Sequence, residues 1–203
     1  MCCNLKKKII ILKQKIFNEN KLIDAVYNNE INKVKSIIKN GTNVNKISYY
    51  HPYDEFFKQT ALTVACKKKY YYIVKLLIKN GANINFIDEK KRTPFFWACT
   101  YSPFQKESKW RFWILDELKK NATDLTLLDC DRPPLYEAIK SGDTQLVCYL
   151  LQLGNLKINI NNKIKKGWYK GYSLLDLAKK KSIKKYLEWY SYQNTSAVIL
   201  KFD

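Results

Sequence analysis

The stretch TALTVACKKKYYYIVKLLIKNGANIN, residues 60–85, decides the fold. It reads as a short helix, a turn, a longer helix ending in Asn80-Gly81, and an Asn-rich hairpin. In the first helix Leu62 and Ala65 share one face; in the second, Ile73, Val74, Leu76 and Leu77 have the spacing of a buried stripe. Each helix is apolar on one side only, so the unit cannot bury its own core. It needs neighbours of the same plan, which predicts a stacked array.

The rest of the chain supplies those neighbours. Thr60 and Gly81 lie 21 positions apart, and the same step separates Asn20 from Gly41 and Pro133 from Gly154. Helix starts fall near Asn20, Thr60, Thr93, Pro133 and Ser173, with spacings of 40, 33, 40 and 40. Cys66 and Cys99 occupy equivalent positions 33 apart. Thr93-Pro94 places a hydroxyl where it can accept from a free amide, and a proline where the missing N–H costs nothing. Leu135 with Ala138, and Leu175 with Ala178, repeat the pairing of Leu62 with Ala65. Leu146, Val147, Leu150 and Leu151 repeat the stripe of the second helix. Gly41, Gly81 and Gly154 are placed to supply the left-handed residue that ends a helix.

These residues carry a resemblance. Thr60-Ala61-Leu62-Thr63-Val64-Ala65 and Thr93-Pro94-Phe95-Phe96-Trp97-Ala98 are similar to the T-P-L-H-x-A opening of ankyrin repeats. Ile73-Val74-Lys75-Leu76-Leu77 followed by Asn80-Gly81-Ala82-Asn83-Ile84-Asn85 resembles the second helix and hairpin of that family. The resemblance implies an all-α solenoid of about five helix-turn-helix-hairpin units over residues 20–194. It would be preceded by a basic segment with a capping helix (1–19) and followed by a short tail (195–203). It implies a noncatalytic protein-binding module. In the fifth unit the segment between helices reads as shortened. Ile23, Thr63, Phe96, Tyr136 and Asp176 stand where the family motif has histidine, so that residue's hydrogen bonds must be replaced or lost. Ala122 stands at the glycine position of the third unit.

The composition narrows the partners. The net charge is +19, with 37 basic residues, of which only Arg92, Arg111 and Arg132 are arginine. Nucleic-acid readers lean on arginine for bidentate and stacking contacts, so its scarcity argues against that class. Charge favours acidic or mixed protein surfaces and fast, salt-sensitive association. A chain rich in Lys, Asn, Ile and Tyr is typical of A/T-rich genomes such as those of parasitic bacteria and large DNA viruses. A protein that captures a host component fits that composition. No apolar run approaches the roughly 18 residues that span a bilayer. The N-terminus lacks the apolar core of a secretory signal, which points to the cytoplasm, or to the host cytoplasm or nucleus for an effector, with reduced cysteines. Cys66 and Cys99 read as small buried hydrophobes.

Three departures from the unit are candidate contact sites. Gly81 to Thr93 spans 12 positions, but Gly41 to Thr60 and Gly154 to Ser173 each span 19, so two hairpin loops carry seven additional residues. Hairpins in ankyrin-like arrays line the concave binding face. The first long loop holds Tyr49, Tyr50, His51, Tyr53, Phe56 and Phe57. The second holds Trp168, Tyr169, Lys170 and Tyr172. Aromatic side chains beside cations are what interface anchors are made of; the plainer reading is that they fold back over neighbouring helix ends. The third unit has about eight extra residues between its helices, within Tyr101 to Phe112, on the side opposite the hairpins. Lysines 179–181, 184 and 185 give the last helix a basic face. Cys2 and Cys3 beside Lys6-Lys7-Lys8 have the form of a dual acylation site, and only such acylation would make the chain membrane-associated.

Catalytic machinery is not legible. His51 is the single histidine, no glycine-rich phosphate loop occurs, and the cysteines lack zinc spacing. The expectation is a monomeric array without cofactor or metal. The alternative is an electrostatic binder of nucleic acid or anionic membrane that uses the lysine-rich surface.

Overall fold

The structure is a computed structural model, and it describes residues 21–48, 58–100, 109–121, 134–153, 163–164 and 169–199. Their helices follow one another in short–long pairs: α1 (Lys21–Tyr27) with α2 (Ile31–Lys39), and α3 (Ala61–Lys67) with α4 (Tyr71–Lys79). Next come α5 (Pro94–Cys99) with α6 (Lys109–Lys120), α7 (Pro134–Ser141) with α8 (Thr144–Gln152), and α9 (Leu174–Leu177) with α10 (Lys181–Ile199). The helices form two compact units, one holding α1 to α6 (apart from Cys99 at the end of α5) and the other α7 to α10.

In the first unit, first helices pack on first helices and second helices on second. α1 lies against α3, and α4 lies against both α2 and α6. Leu22 and Val26 of α1, Leu62 and Ala65 of α3, Ile73 and Leu77 of α4, and Ile114, Leu115 and Leu118 of α6 are all buried. This is the side of each helix that the sequence pattern marks as apolar. Leu76, at the edge of the stripe, is only half-buried. Removing a fully buried leucine such as Leu77 would cost on the order of 2–5 kcal/mol, because rigid neighbours cannot collapse into the space. Cys66 and Cys99 are buried, as their small apolar character suggests.

The second unit repeats the arrangement, with α7 against α8 and α9, and α8 against α10. Leu146, Val147, Leu150 and Leu151 are buried. The last pair differs from expectation. Its connection, residues 178–180, is as long as the 28–30 and 68–70 connections. The shortening lies in α9 itself, a single turn that buries Leu174 and Leu177 while Leu175 and Ala178 are half-exposed.

The helix ends follow local chemistry. Thr60 caps α3: its Oγ1 accepts from the Thr63 amide at 3.3 Å. Thr63 Oγ1 accepts from the Thr60 amide at 2.9 Å and donates to the Thr60 carbonyl at 2.8 Å. Ser173 and Asp176 form the same reciprocal box at α9, and Asp143 caps α8 through the Leu146 amide. Thr63 and Asp176 stand at the family's histidine position, so there its bonds are replaced rather than lost. At Phe96 only half the box survives, with Thr93 Oγ1 accepting from the Phe96 amide at 3.2 Å.

Left-handed residues sit at three repeating points, one of them two residues before the caps Thr93 and Ser173, where Lys91 has φ 57° and Gly171 88°. Gly41 and Gly81, both at φ +80°, end α2 and α4. Asn29, Lys69 and Gly142 hold one equivalent place in the tight turn between paired helices, at φ 58°, 60° and 75°. Gly154, Ala122 and the capping helix expected within residues 1–19 lie outside the described residues. So do residues 101–108 of the third-unit insertion, and its last part, Lys109 to Phe112, is the first turn of α6 rather than loop.

Candidate functional site

Successive hairpins of the first unit are tied together by asparagines. The Asn43 carboxamide oxygen accepts from the Asn45 amide at 2.9 Å, and Asn83 does the same for Asn85 at 3.0 Å. Asn45 also spans the two hairpins: its Nδ2 donates to the Gly81 carbonyl at 2.9 Å and its Oδ1 accepts from the Asn83 amide at 2.6 Å. Farther along, Glu89 accepts from the Lys58 amide at 3.0 Å and pairs with Lys58 Nζ at 3.7 Å. The amide of Lys58 and its ammonium charge together hold the Glu89 carboxyl below its usual pKa. Ile47 and Ile87, 40 positions apart, occupy equivalent hairpin positions and are 38% and 45% exposed. A rigid frame thus presents two aliphatic side chains to solvent.

Both long loops have closed bases. Ser48 and Gln59 exchange two backbone hydrogen bonds of 2.8 Å, the antiparallel bridge from which the first loop leaves. In the second unit the Ile164 amide donates to the Tyr172 carbonyl and the Gly171 amide to the Ile164 carbonyl, each at 2.9 Å. The expected contact residues Tyr49, Tyr50, His51, Tyr53, Phe56, Phe57 and Trp168 lie outside the described residues, as do Cys2 and Cys3.

The structure separates the three remaining aromatic-loop residues. Tyr172 is 53% exposed and Lys170 is exposed. Tyr169 is only 4% exposed, which corrects its expected place on the surface. Its hydroxyl donates to Glu137 Oε1 at 2.8 Å, and Lys140 Nζ lies 4.9 Å from its ring centroid. Its ring meets Tyr136 edge-on at 6.3 Å. Burial raises the pKa of the Tyr136 phenol. The fold-back reading is right for Tyr169, because α7 offers an acceptor, a cation and an aromatic edge in one place.

A second surface was not anticipated residue by residue. Tyr71 and Tyr72 at the start of α4 meet Trp110 and Trp113 at the start of α6. Tyr71 stacks on Trp110 at 5.8 Å and meets Trp113 edge-on at 5.5 Å, while Trp110 and Trp113 are 5.0 Å apart and nearly perpendicular. Tyr72 is 61% exposed and Trp113 49%. The signals were present as the Tyr70-Tyr71-Tyr72 run and two tryptophans three apart. On a helix, residues three apart share a face.

Among the described residues no group of His, Cys, Asp and Glu could hold a metal ion, and no helix is long and apolar enough to cross a membrane. No curated protein matches the chain. Residues 22–108 match the family model for ankyrin repeats, in three copies. Arrays of this family are protein-interaction modules and are in general noncatalytic. The helix pairs, their capping boxes and the matched segment agree, and residues 22–108 of the chain are ankyrin repeats.

Proposed function

We propose that the chain captures a protein partner along its hairpin face, with aliphatic and aromatic side chains as anchors and lysines steering the approach. The observation that carries this reading is the pair Ile47 and Ile87, exposed at equivalent points of hairpins locked by Asn45. Exposed aliphatic groups on a preorganised surface bind without the ordering cost of a flexible loop. Tyr172 and Lys170 extend the same chemistry to the second long loop, and Tyr49, Tyr50, His51, Tyr53, Phe56, Phe57 and Trp168 are its remaining proposed anchors. With a net charge of +19 the partner surface is acidic or mixed. A host protein met in the cytoplasm by a viral or bacterial effector suits the composition, and the chain acts as a monomer. Membrane attachment would depend on acylation of Cys2 and Cys3.

The test is capture from a host-cell lysate by wild type beside an Ile47→Ala/Ile87→Ala variant and a Tyr50→Ala/Tyr53→Ala/Trp168→Ala/Tyr172→Ala variant. Proteins retained by wild type and lost from both variants, with unchanged far-UV circular dichroism, are the expected result. Equal retention by all three would remove the hairpin face from the function.

A further inference from the structure

The second helices of the first unit begin side by side, and a cleft of about 360 Å³ opens where they begin. Asn29 and Ile31 line it from the start of α2, Tyr71, Tyr72 and Ile73 from the first turn of α4, and Trp110 from the first turn of α6. Its volume is at the lower end of the range in which pockets take a ligand, enough for one or two side chains. Its walls are aromatic and aliphatic, and Tyr72 and Trp110 remain open to solvent.

Positive groups outnumber negative ones around this cleft. Helix N-termini carry the positive end of the peptide dipole. α2 and α4 both start here, and neither Glu30 nor Tyr70 caps the backbone amides of its helix with a side-chain hydrogen bond. Lys69 also lines the cleft, its ammonium donating to the Trp97 carbonyl at 2.7 Å. No carboxylate is among the lining residues. Glu30, the nearest in sequence, pairs with Lys33 at 2.9 Å. Lys75 is exposed one turn beyond Tyr71 and Tyr72, and Lys109 is exposed directly before Trp110. Asp116 lies roughly 9 Å along α6 from Trp110, at 1.5 Å per residue.

From this pairing of an apolar cleft with convergent positive ends we propose a docking site for an acidic peptide segment. An apolar side chain of the peptide enters the cleft beside Tyr72 and Trp110, whose ring centroids lie 5.4 Å apart, and flanking carboxylates meet the helix starts, Lys75 and Lys109. A stacking platform for single-stranded nucleic acid needs ring faces laid open in a row. Here the rings lie steeply to one another, Trp113 at 84° to Trp110 and 68° to Tyr71, and Tyr72 at 58° to Trp110, so no open row of faces is laid out. The site rests on the reading of the chain as a protein-binding module, but it lies at the helix-turn side and not among the hairpins.

The experiment is selection of a phage-displayed random dodecapeptide library on the folded full chain, followed by binding titrations of the recovered peptides. Recovered sequences should carry acidic residues around an aromatic or aliphatic one. Their Kd should rise at least tenfold on Tyr72→Ala/Trp110→Ala and at least threefold on Lys75→Glu/Lys109→Glu, with Tyr72→Phe close to wild type. The charge-reversal variant alters only exposed side chains, so it reads the site even where the aromatic variant loses stability. No acidic enrichment, or recovered peptides that bind both variants as tightly as wild type, overturns the site. Binding of oligothymidylate or phosphatidylserine vesicles that these substitutions abolish, with no peptide recovered, overturns it in favour of those ligands. Peptides that ignore these substitutions but lose affinity on Ile47→Ala/Ile87→Ala would leave the protein-binding module standing and remove only this site.

Discussion

Asp176 shows how one side chain can take over the structural duty of the histidine that the family motif has at its position. Its carboxylate accepts from the Ser173 amide and the Ser173 hydroxyl, each at 2.8 Å, while Ser173 Oγ accepts from the Asp176 amide at 3.1 Å. The hydrogen bond from the Ser173 amide, then that from its hydroxyl, holds the carboxyl below the usual aspartate pKa, with smaller help from Lys163 and Lys184. A carboxyl whose folded pKa is depressed adds stability that is fully present above its unfolded pKa, about 3.9, and is lost as pH falls through the folded value. Acidification through and below that range should therefore loosen α9. The expected observation is loss of hydrogen-exchange protection at the Asp176 and Leu177 amides over the same pH interval in which the Asp176 carboxyl titrates by NMR. Asp176→Asn keeps an acceptor without a titrating proton, so its protection should show no such step; an identical step in that variant would place the titrating group elsewhere. Thr63 fills the same position in the second unit of the repeat with a neutral hydroxyl. That cap should be indifferent to pH across the same interval.

At the scale of elements, the tight turns after α1, α3 and α7 each hold one left-handed residue, and the chain meets that demand differently each time. Asn29 tolerates it through its short polar side chain, and Lys69 occupies it while tying α3 to the Trp97 carbonyl of α5. At Gly142 a side chain is also excluded by a neighbour: a Cβ there would lie 2.8 Å from Lys180 Cε, whose ammonium donates to the Gly142 carbonyl at 2.6 Å. Gly142→Ala should cost about 1–2 kcal/mol for the left-handed backbone, together with whatever Lys180 loses by moving. In a Lys180→Ala background only the backbone part remains, so urea denaturation of the double-mutant cycle should show Gly142→Ala costing less there than in the wild-type background. Equal costs in the two backgrounds would mean that the lysine yields freely. The elements themselves were largely legible in advance: Thr60, Thr93 and Ser173 sit immediately before α3, α5 and α9, because hydroxyl caps and leucine spacing are local signals. What sequence could not give was which aromatic faces inward. Tyr169 and Tyr172 look alike in a loop, and only the position of Glu137 and Lys140 on α7 decides that one is consumed and the other exposed. The cluster of Tyr71, Tyr72, Trp110 and Trp113 was obscured for the converse reason. Apolar residues at a helix start read as core until Tyr72 and Trp113 are seen to stand exposed.

At the scale of the whole molecule, the charge and the anchors should govern different halves of a binding reaction. A net charge of +19 sets up a field that reaches a partner before contact, over about 10 Å at 0.1 M salt but only about 3 Å at 1 M. Steering of that kind raises the association rate and is screened by ions. Ile47, Ile87 and Tyr172 act at contact distance, where screening is weak, and their removal shows in how long the complex lasts. For a partner recovered by the hairpin-dependent capture, raising salt from 50 to 500 mM should therefore slow association on the order of tenfold and leave dissociation nearly unchanged. Ile47→Ala/Ile87→Ala should do the reverse, accelerating dissociation at either salt concentration. Surface plasmon resonance with the four combinations of variant and salt separates the two effects. Salt-accelerated dissociation with constant association would put the lysines inside the contact itself. The basic surface would then be the recognition element, as an electrostatic binder requires, and the hairpin isoleucines merely its support.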